Sequence, residues 1–189
     1  MKSKFLKVIT AATLFTIIAG CTSTPTHLIV SPQVVLAPSN KLANKDAQLS
    51  VIDMRTSTHI IQILEEDEAA IILSSEKRLE DIIQELLSQN WQQQGLSIAP
   101  IGKNKITVTI DKAIISVDQG KVRYDTQSEI IVKVSIDNGK QTLTSRFKTR
   151  GHSEGALNAD IAVLEKEFNK HLSAVLTQIL NSKDINKFL

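Results

Sequence analysis

The chain has little of three things: cysteine, aromatic side chains and net charge. A single cysteine in 189 residues allows no internal disulfide and no cysteine-based metal site. Aromatic residues make up only 4% of the chain and hydrophobic residues 42%, so a core must be mainly isoleucine, leucine and valine. The formal net charge of +2 gives no concentrated basic surface of the kind that nucleic acid requires. The length fits one domain.

The first 20 residues have the three parts of a secretory signal peptide. Lys2, Lys4 and Lys7 form its basic beginning. Residues 8–18 form an apolar stretch that is shorter than the roughly 20 residues needed to span a bilayer. Without the three lysines, the rest of the chain has 19 basic residues against 20 acidic ones, which is a formal charge of −1.

Cys21 follows Ile18, Ala19 and Gly20, and this I-A-G-C run resembles the lipobox of bacterial lipoproteins. The resemblance implies cleavage between Gly20 and Cys21 and acyl chains, palmitate among them, on the cysteine. Two or more chains hold a protein on a membrane stably, whereas one chain gives marginal binding. The alternative is an ordinary signal peptide with an incidental cysteine. Thr22 rather than an aspartate comes next, which in lipoproteins of enteric type implies the outer membrane. We expect the domain to face the periplasm, and display at the cell surface is left open.

Residues 21–27 are predicted to be the acylated cysteine and a tether, and residues 28–189 a single periplasmic domain. Pro32 limits the segment 27–36 to an edge strand, because proline cannot donate to a central ladder. The other strands predicted before the first helix are residues 49–54, 58–64 and 69–73, of which the last two form a hairpin. The acidic tip of this hairpin, residues 65–68, could bind a cation, although four carboxylates on a short turn are usually only solvated.

Two segments have apolar residues at helical spacing. Ser74 and Ser75 suit the N-cap of the first helix, and Gly95 suits its end. The first apolar stripe comprises Leu79, Ile82, Ile83, Leu86, Leu87 and Trp91. The second, within residues 158–181, comprises Ile161, Leu164, Phe168, Leu172, Val175, Leu176, Ile179 and Leu180. Trp91 could be a ligand platform, but its place on the stripe favours a packing role. Ser182 is predicted to cap a short terminal turn.

Residues 104–150 are predicted to form three antiparallel strands. Asn138-Gly139 is the strongest short hairpin signal. As a two-residue loop it places Glu129 opposite Lys148, which is a favourable pair of opposite charges across two strands.

A second turn is predicted at residues 118–121, which places Val117 opposite Val122. Continued unchanged, that register would turn the apolar residues at the start of the first strand toward the wrong face. One extra residue near Asp111-Lys112 corrects the register, so a β-bulge is predicted there. The fold class that follows is α+β: an antiparallel β-meander with two amphipathic helices packed on one face, a two-layer sandwich.

Four stretches of the sequence together carry a resemblance to a known family: the leader with I-A-G-C, the helix R-L-E-D-I-I-Q-E-L-L, the stretch V-D-Q-G-K-V-R-Y at 117–124 and D-I-N-K-F at 184–188. In these stretches the chain resembles the YajG-like lipoproteins of gammaproteobacteria. The resemblance covers essentially the whole mature chain in order, and Q-G-K-V-R-Y is its most specific part. The resemblance implies an envelope lipoprotein with no catalytic residue or cofactor to transfer, so only the role of Cys21 carries over.

Hydrolysis would require a nucleophile, a base and an orienting group. His152, Ser153 and Glu154 are the only suggestive group, but three adjacent residues point in different directions, which favours a polar loop between strand and helix.

A mildly basic outward face is predicted on two strands. Its members are Arg123, Lys133, Arg146, Lys148 and Arg150, with Asp125 and Glu129 partly neutralising them. The face could contact anionic headgroups, a glycan polymer or an acidic protein, or could simply be a solvated face that discourages aggregation.

The preferred function is a tethered, non-catalytic accessory domain that binds another envelope component, either a protein or a cell-wall polymer. The alternatives are a lipid or small-ligand carrier, with a cavity between sheet and helices, and an envelope hydrolase that depends on His152 or Glu154.

Overall fold

The computed structural model describes residues 27–37 and 39–189. The predicted leader, its cleavage point and Cys21 lie outside the described residues. In chain order the elements are β1 (His27–Leu28), β2 (Asp46–Asp53), β3 (Ile61–Glu65), β4 (Ile71–Ser75), α1 (Leu79–Gln93), β5 (Ser97–Ile98), β6 (Asn104–Gln119), β7 (Arg123–Asp137), β8 (Thr142–Ala156), α2 (Ile161–Leu180) and α3 (Lys183–Phe188).

The eight strands of the described residues form one mixed sheet, with the long strand β6 at its centre. On one side, β6, β7 and β8 form the predicted antiparallel meander. On the other side, β6 pairs with β2 along its first half and with β3 along its second half, in both cases parallel. The prediction of a purely antiparallel meander is therefore wrong. Parallel neighbours require a crossover connection, and the segment that contains α1 belongs to the connections that lead from β2 and from β3 to β6.

A β-bulge interrupts β6 where it was predicted. The register between β6 and β7 shifts by one residue between Ile110 and Lys112, which leaves Asp111 as the extra residue. Ile106 before the bulge and Ile115 after it are both fully buried, so the strand keeps one apolar face. A one-residue slip would otherwise turn half of this strand toward solvent.

The turn between β7 and β8 is centred one residue later than predicted. The Asn138 amide donates to the Gln141 carbonyl at 3.1 Å, which makes Gly139-Lys140 the two-residue loop. Gly139 has a φ of +81°. A type II′ turn has glycine at this first central position, whereas the predicted turn would have required a left-handed Asn138. The Asn138 side chain accepts hydrogen bonds from the two amides that follow Gly139.

Both predicted registers are therefore wrong, although the faces are right. Glu129 lies opposite Arg150 rather than Lys148. Val117 lies opposite Thr126, because the turn between β6 and β7 also comes later than predicted. The observed partner lies two residues beyond the predicted one for Glu129 and four residues beyond it for Val117. Both shifts are even, and side chains along a strand alternate between the two faces with a period of two. The predicted inward and outward residues consequently remain on their faces.

Both long helices pack on the apolar face of the sheet, as predicted. Trp91 on α1 and Phe168 on α2 are fully buried there, so the packing role of Trp91 is confirmed. Gly95 follows α1 with a φ of +93°, and the Ser182 hydroxyl caps α3 as predicted. The prediction of a serine N-cap for α1 is wrong. Ser74 and Ser75 belong to β4, which pairs with β1, and α1 begins after Arg78 without a side-chain cap.

Residues 29–36, here called the strap, do not form the predicted edge strand. Only His27 and Leu28 pair with the sheet. The strap lies along α2, where three of its amides donate to side chains one helical turn apart. These bonds are Ile29 N to Glu165 Oε2 at 2.9 Å, Ser31 N to Asn169 Oδ1 at 2.8 Å and Gln33 N to Ser173 Oγ at 2.9 Å. Val30, Pro32, Val34 and Leu36 point the other way and are at least half-buried. Proline fits here because alternate amides need no partner.

Candidate interaction surface

The sheet face opposite the helices, here called the outer face, has a regular order of side chains across β6, β7 and β8. Because both turns fix the register, each row consists of one residue from each strand. The rows are Thr109–Lys133–Arg146, Lys112–Ile131–Lys148, Ile114–Glu129–Arg150, Ser116–Gln127–His152 and Asp118–Asp125–Glu154. The outer face is thus basic at one end, polar in the middle and acidic at the other end.

Glu129 is the electrostatic centre of the basic end. Its carboxylate contacts Lys112 Nζ at 2.7 Å, Lys148 Nζ at 2.8 Å and Arg150 Nε at 2.7 Å. Hydrogen bonds from Lys112, Lys148 and Arg150, in that order, hold the pKa of Glu129 far below its ordinary value. One carboxylate therefore serves three cations, and the cluster keeps a net positive charge.

The structure brings together four of the five cations predicted to form a contact face. Lys133, Arg146, Lys148 and Arg150 occupy adjacent rows. Lys148 still reaches Glu129, but diagonally, because Arg150 is the residue directly opposite. Arg123 lies at the other end of β7, beyond the acidic row, so it does not belong to the cluster.

A shallow depression of about 510 Å³ lies between the basic and polar rows. Its lining includes Lys112, Ile114, Ser116, Gln127, Glu129, Arg150 and His152. The polar row continues onto β3, where Gln62 Nε2 donates to Ser116 Oγ at 2.9 Å. A surface with this mixture of amides, hydroxyls and cations offers hydrogen bonds and ion pairs to a ligand rather than a reactive centre.

The suggested group of His152, Ser153 and Glu154 lies on β8 itself, so its placement in a loop between strand and helix is wrong. The strand continues to Ala156. Consecutive strand residues point to opposite faces, so His152 and Glu154 lie on the outer face, while Ser153 bonds to Thr126 on the inner face. The three side chains therefore do not form a nucleophile with its base.

One group of possible metal ligands occurs among the described residues: Asp125, His152 and Glu154. Asp125 Oδ1 lies 3.5 Å from His152 Nδ1, and Glu154 Oε1 lies 3.6 Å from His152 Nε2. The two carboxylates thus face different nitrogens of one exposed ring, which suits hydrogen bonding to a histidine better than a shared ion. Within the described part of the chain, the acidic turn at residues 65–68 forms no such group.

A partly buried contact that sequence reasoning missed joins α2 to the sheet. Ser128 Oγ lies 2.7 Å from His171 Nδ1 and 3.5 Å from Glu167 Oε1. Gly151 makes room for it, because a Cβ there would come within 2.2 Å of the His171 ring. A glycine inside a strand signals such a close approach. The carboxylate contacts the hydroxyl rather than the other ring nitrogen, so the arrangement differs from a catalytic relay.

The most specific stretch of the sequence, residues 117–124, has a structural role. Gln119 is buried and its side chain donates to the carbonyls of Gly120 and Leu157 and accepts from the Ala159 amide. The Tyr124 ring covers Gly155 on the neighbouring strand, where a Cβ would lie within 2.5 Å of it. Through the Gln119 hydrogen bonds, this stretch holds the end of β6 against the segment that leads into α2.

Comparison with known proteins identifies the class to which this protein belongs. A family model described as an uncharacterized lipoprotein matches residues 32–189. The protein is therefore a lipoprotein, that is, a lipid-anchored protein of the bacterial envelope. More narrowly, the chain belongs to the family of YajG-like lipoproteins. Its relative YajG from Escherichia coli K12 is 23% identical over 188 residues, which cover 98% of this chain and 97% of the relative.

Solved structures show the same fold. Protein XCC0632 from Xanthomonas campestris matches with a TM-score of 0.64 and 11% identity, over 87% of this chain and 97% of that one. A Helicobacter pylori homologue of neuraminyllactose-binding hemagglutinin matches with a TM-score of 0.51 and 12% identity, over 86% of this chain and 96% of that one. Among the described residues, no helix combines the length and apolar character needed to cross a membrane.

Proposed function

We propose that the protein is a non-catalytic accessory of the cell envelope, held by acyl chains on Cys21 and facing the periplasm from the outer membrane. Its domain binds another envelope component, a protein or a cell-wall polymer, through the outer face. The observation that carries this proposal is the long outer face itself, with its ordered rows from Lys133–Arg146 to Asp125–Glu154, which lies opposite both helices.

Two further observations support a binding surface rather than an internal site. The interior between sheet and helices is filled by large side chains, of which Trp91, Phe168 and Leu172 are fully buried. This favours binding at the surface over carriage of a lipid or small ligand inside the domain. The suggestive residues His152 and Ser153 lie on opposite faces, which favours binding over hydrolysis.

The test places a photo-crosslinking amino acid at Gln127, which is exposed in the middle of the outer face. The matched control places it at Gln89, an exposed glutamine on α1. Both full-length proteins are irradiated in intact envelopes and the products identified by mass spectrometry, before and after muramidase digestion.

We expect a crosslinked product from position 127 and none from position 89. A product that shortens with muramidase identifies a cell-wall polymer, and a product of fixed mass identifies a protein. Because the name of the Helicobacter pylori neighbour refers to neuraminyllactose, a sialylated glycan is added as a competitor. Equal products from the two positions, or none from position 127, would refute the proposal.

A further inference from the structure

Strand β8 ends the sheet on one side. It runs for 15 residues from Thr142 to Ala156, and among the described residues it pairs with β7 alone. An edge strand of this length presents a row of backbone N–H and C=O groups to which another extended chain can bond.

The turn geometry identifies which residues of β8 present those groups. The Asn138 amide bonds to the Gln141 carbonyl, so these two residues form a hydrogen-bonded pair. Hydrogen-bonded pairs alternate along an antiparallel ladder, so the odd-numbered residues of β8 bond to β7 and the even-numbered ones point to the free edge. Within residues 27–37 and 39–189, no hydrogen bond reaches the backbone of Thr144, Arg146, Lys148, Arg150 or His152 from that side.

The same residues carry the positive charge. Even-numbered residues of β8 direct their side chains to the outer face, so Arg146, Lys148 and Arg150 stand in line beside the free backbone groups. The Arg146 and Arg150 side chains are 62% and 68% exposed. Glu129 engages Lys148 and Arg150 but leaves the cluster positive overall.

We propose that the free edge of β8 accepts an extended segment of a partner protein, with acidic side chains at alternate positions, as an additional strand. This inference rests on the proposed function and specifies the partner as an acidic peptide segment. Each carboxylate of that segment would lie on the outer face opposite Arg146, Lys148 or Arg150. A second copy of this chain fits less well, because pairing two copies around Lys148 would bring like charges together.

The test uses four fluorescent peptides and the purified, lipidated mature protein in detergent. The first peptide alternates glutamate and valine over about 11 residues, which is the span of a long strand. The second replaces each glutamate with lysine. The third is the glutamate peptide methylated on the backbone nitrogen of every glutamate. The fourth is the glutamate peptide methylated on the backbone nitrogen of every valine. Binding is measured by fluorescence anisotropy.

We expect the glutamate peptide to bind, and the lysine peptide to bind at least about tenfold more weakly because like charges then meet. One methylated peptide should lose binding and the other keep it, since only alternate amides face β8. Arg146→Glu should weaken binding by about tenfold. Lys140→Glu, in the exposed turn beside the strand, is the charge-matched control and should leave binding unchanged.

Amide hydrogen exchange reports on the site directly. In the free protein, the amides of Arg146, Lys148 and Arg150 should exchange fast, while those of Phe147 and Thr149 are protected by β7. Addition of the glutamate peptide should protect the first set. Equal binding of both methylated peptides, or edge amides that stay fast in the complex, would overturn the inference. Edge amides that are already protected in a dimer would overturn it in favour of a second copy.

The outcome is separable from that of the proposed function. A partner crosslinked at position 127 while the β8 amides stay unprotected would remove the strand-addition site and keep the accessory role. Peptide binding without any envelope product at position 127 would keep the strand-addition site and refute the proposed binding through the outer face.

Discussion

At the scale of single residues, Glu129 neutralises part of the positive charge on the outer face, and Asp111 lies 3.9 Å from Arg146. Three cations share the Glu129 carboxylate, and two of them also belong to the free edge of the sheet. The net charge of the group that Glu129 forms with these three cations therefore depends on the ionisation of Glu129. Gly151 is the second residue on which a contact depends, because it admits the His171 ring between α2 and β8.

We predict that Glu129→Gln lowers the free energy of unfolding at pH 7 by about 1–2 kcal/mol, because three neighbouring cations lose their counter-charge. Hydrogen bonds from Lys112, Lys148 and Arg150 depress the folded pKa of Glu129 below its ordinary value of 4.5. The stabilisation is therefore complete above about pH 4.5 and is lost as the pH falls toward the folded pKa.

Urea denaturation from pH 7 to pH 3 measures this effect. The difference between wild type and Glu129→Gln should shrink over the acid part of that range. Glu66→Gln, at an exposed position of the acidic turn, is the control and should change stability little at any pH. A difference that stays constant down to pH 3 would show that the ion pairs contribute nothing to stability.

We predict that Gly151→Ala destabilises the fold by about 1–3 kcal/mol, since the new methyl group must displace packed atoms. The nearest atoms would be His171 Cε1 at 2.2 Å and Ser128 Oγ at 2.5 Å. Removing the ring with His171→Ala should relieve part of the overlap. A double-mutant cycle by thermal denaturation should then give a loss smaller than the sum of the single losses, whereas additive losses would locate the strain elsewhere.

At the scale of elements, the bulge in β6 is the point where β2, β3 and β6 meet. Arg55, in the connection between β2 and β3, donates to the carbonyls of Ala113 at 3.1 Å and His59 at 3.3 Å. Its guanidinium also pairs with Asp53 at 2.7 Å, and the two side chains are only 5% and 10% exposed. Burial alone would raise the pKa of Asp53, but hydrogen bonds and charge from Arg55 outweigh it and lower that pKa.

Arg55→Met should therefore cost about 3–5 kcal/mol, because it leaves two carbonyls without their donor and a buried carboxylate with only the backbone amide of residue 55. The double variant Asp53→Leu with Arg55→Met should recover part of that loss, since no charge is then left unpaired. Chemical denaturation of the three proteins tests both statements. A double variant less stable than Arg55→Met would indicate that Asp53 has another stabilising partner.

The strap provides a second test at this scale. Asn169 both accepts from the Ser31 amide and donates to the Ile29 carbonyl, so Asn169→Ala removes two of the bonds that hold the strap. We expect faster proteolysis within residues 27–40 and a loss of about 1–2 kcal/mol in stability. Lys170→Ala, at the exposed neighbouring position, should cause neither change. Unchanged proteolysis in Asn169→Ala would mean that apolar packing alone holds the strap.

Sequence patterns predicted the features that depend on local periodicity. The two helices, the hairpin of β3 and β4, the bulge at Asp111 and the inward face of β6 all follow from spacings of two or of three to four residues. The parallel pairing of β2 with β6 and of β3 with β6 did not follow, because periodicity does not specify a strand's partner. The strap was also missed, since its acceptors on α2 lie 136 to 140 residues away.

The candidate site was predicted with a similar division. Four cations share the outer face because alternate residues of a strand point to the same face, and these four follow that alternation on β7 and β8. The position of Glu129 among three of them depended on the register, and the register depended on turns displaced by one or two residues. Which residues of β8 bond to β7 and which face the free edge likewise could not be predicted, because the answer follows from the observed bond between Asn138 and Gln141.

At the scale of the whole molecule, the helices and strap cover one face of the sheet, while the outer face and the β8 edge are directed away from them. The proposed binding surface and the strap therefore lie on opposite sides of the sheet.

We predict that alkyne-tagged palmitate labels the wild-type protein in growing cells and fails to label Cys21→Ser. The thiol is the only group in the lipobox that can form the thioether. The intact mass of the mature wild-type protein should correspond to a chain that begins at residue 21 and carries acyl groups. Ser23→Ala is the control and should label normally. A wild-type protein that retains Met1 or has an unmodified thiol at its N-terminus would contradict the anchor.

Under the proposed anchor, the docking of the strap also limits how far the domain can move from the bilayer. Six peptide links separate Cys21 from His27, and fully extended they would span roughly 20 Å. The nine links from His27 to Leu36 would add roughly 30 Å, but only after β1 has left β4 and the strap has left α2. A partner that released both contacts would therefore more than double the distance that the domain can cover.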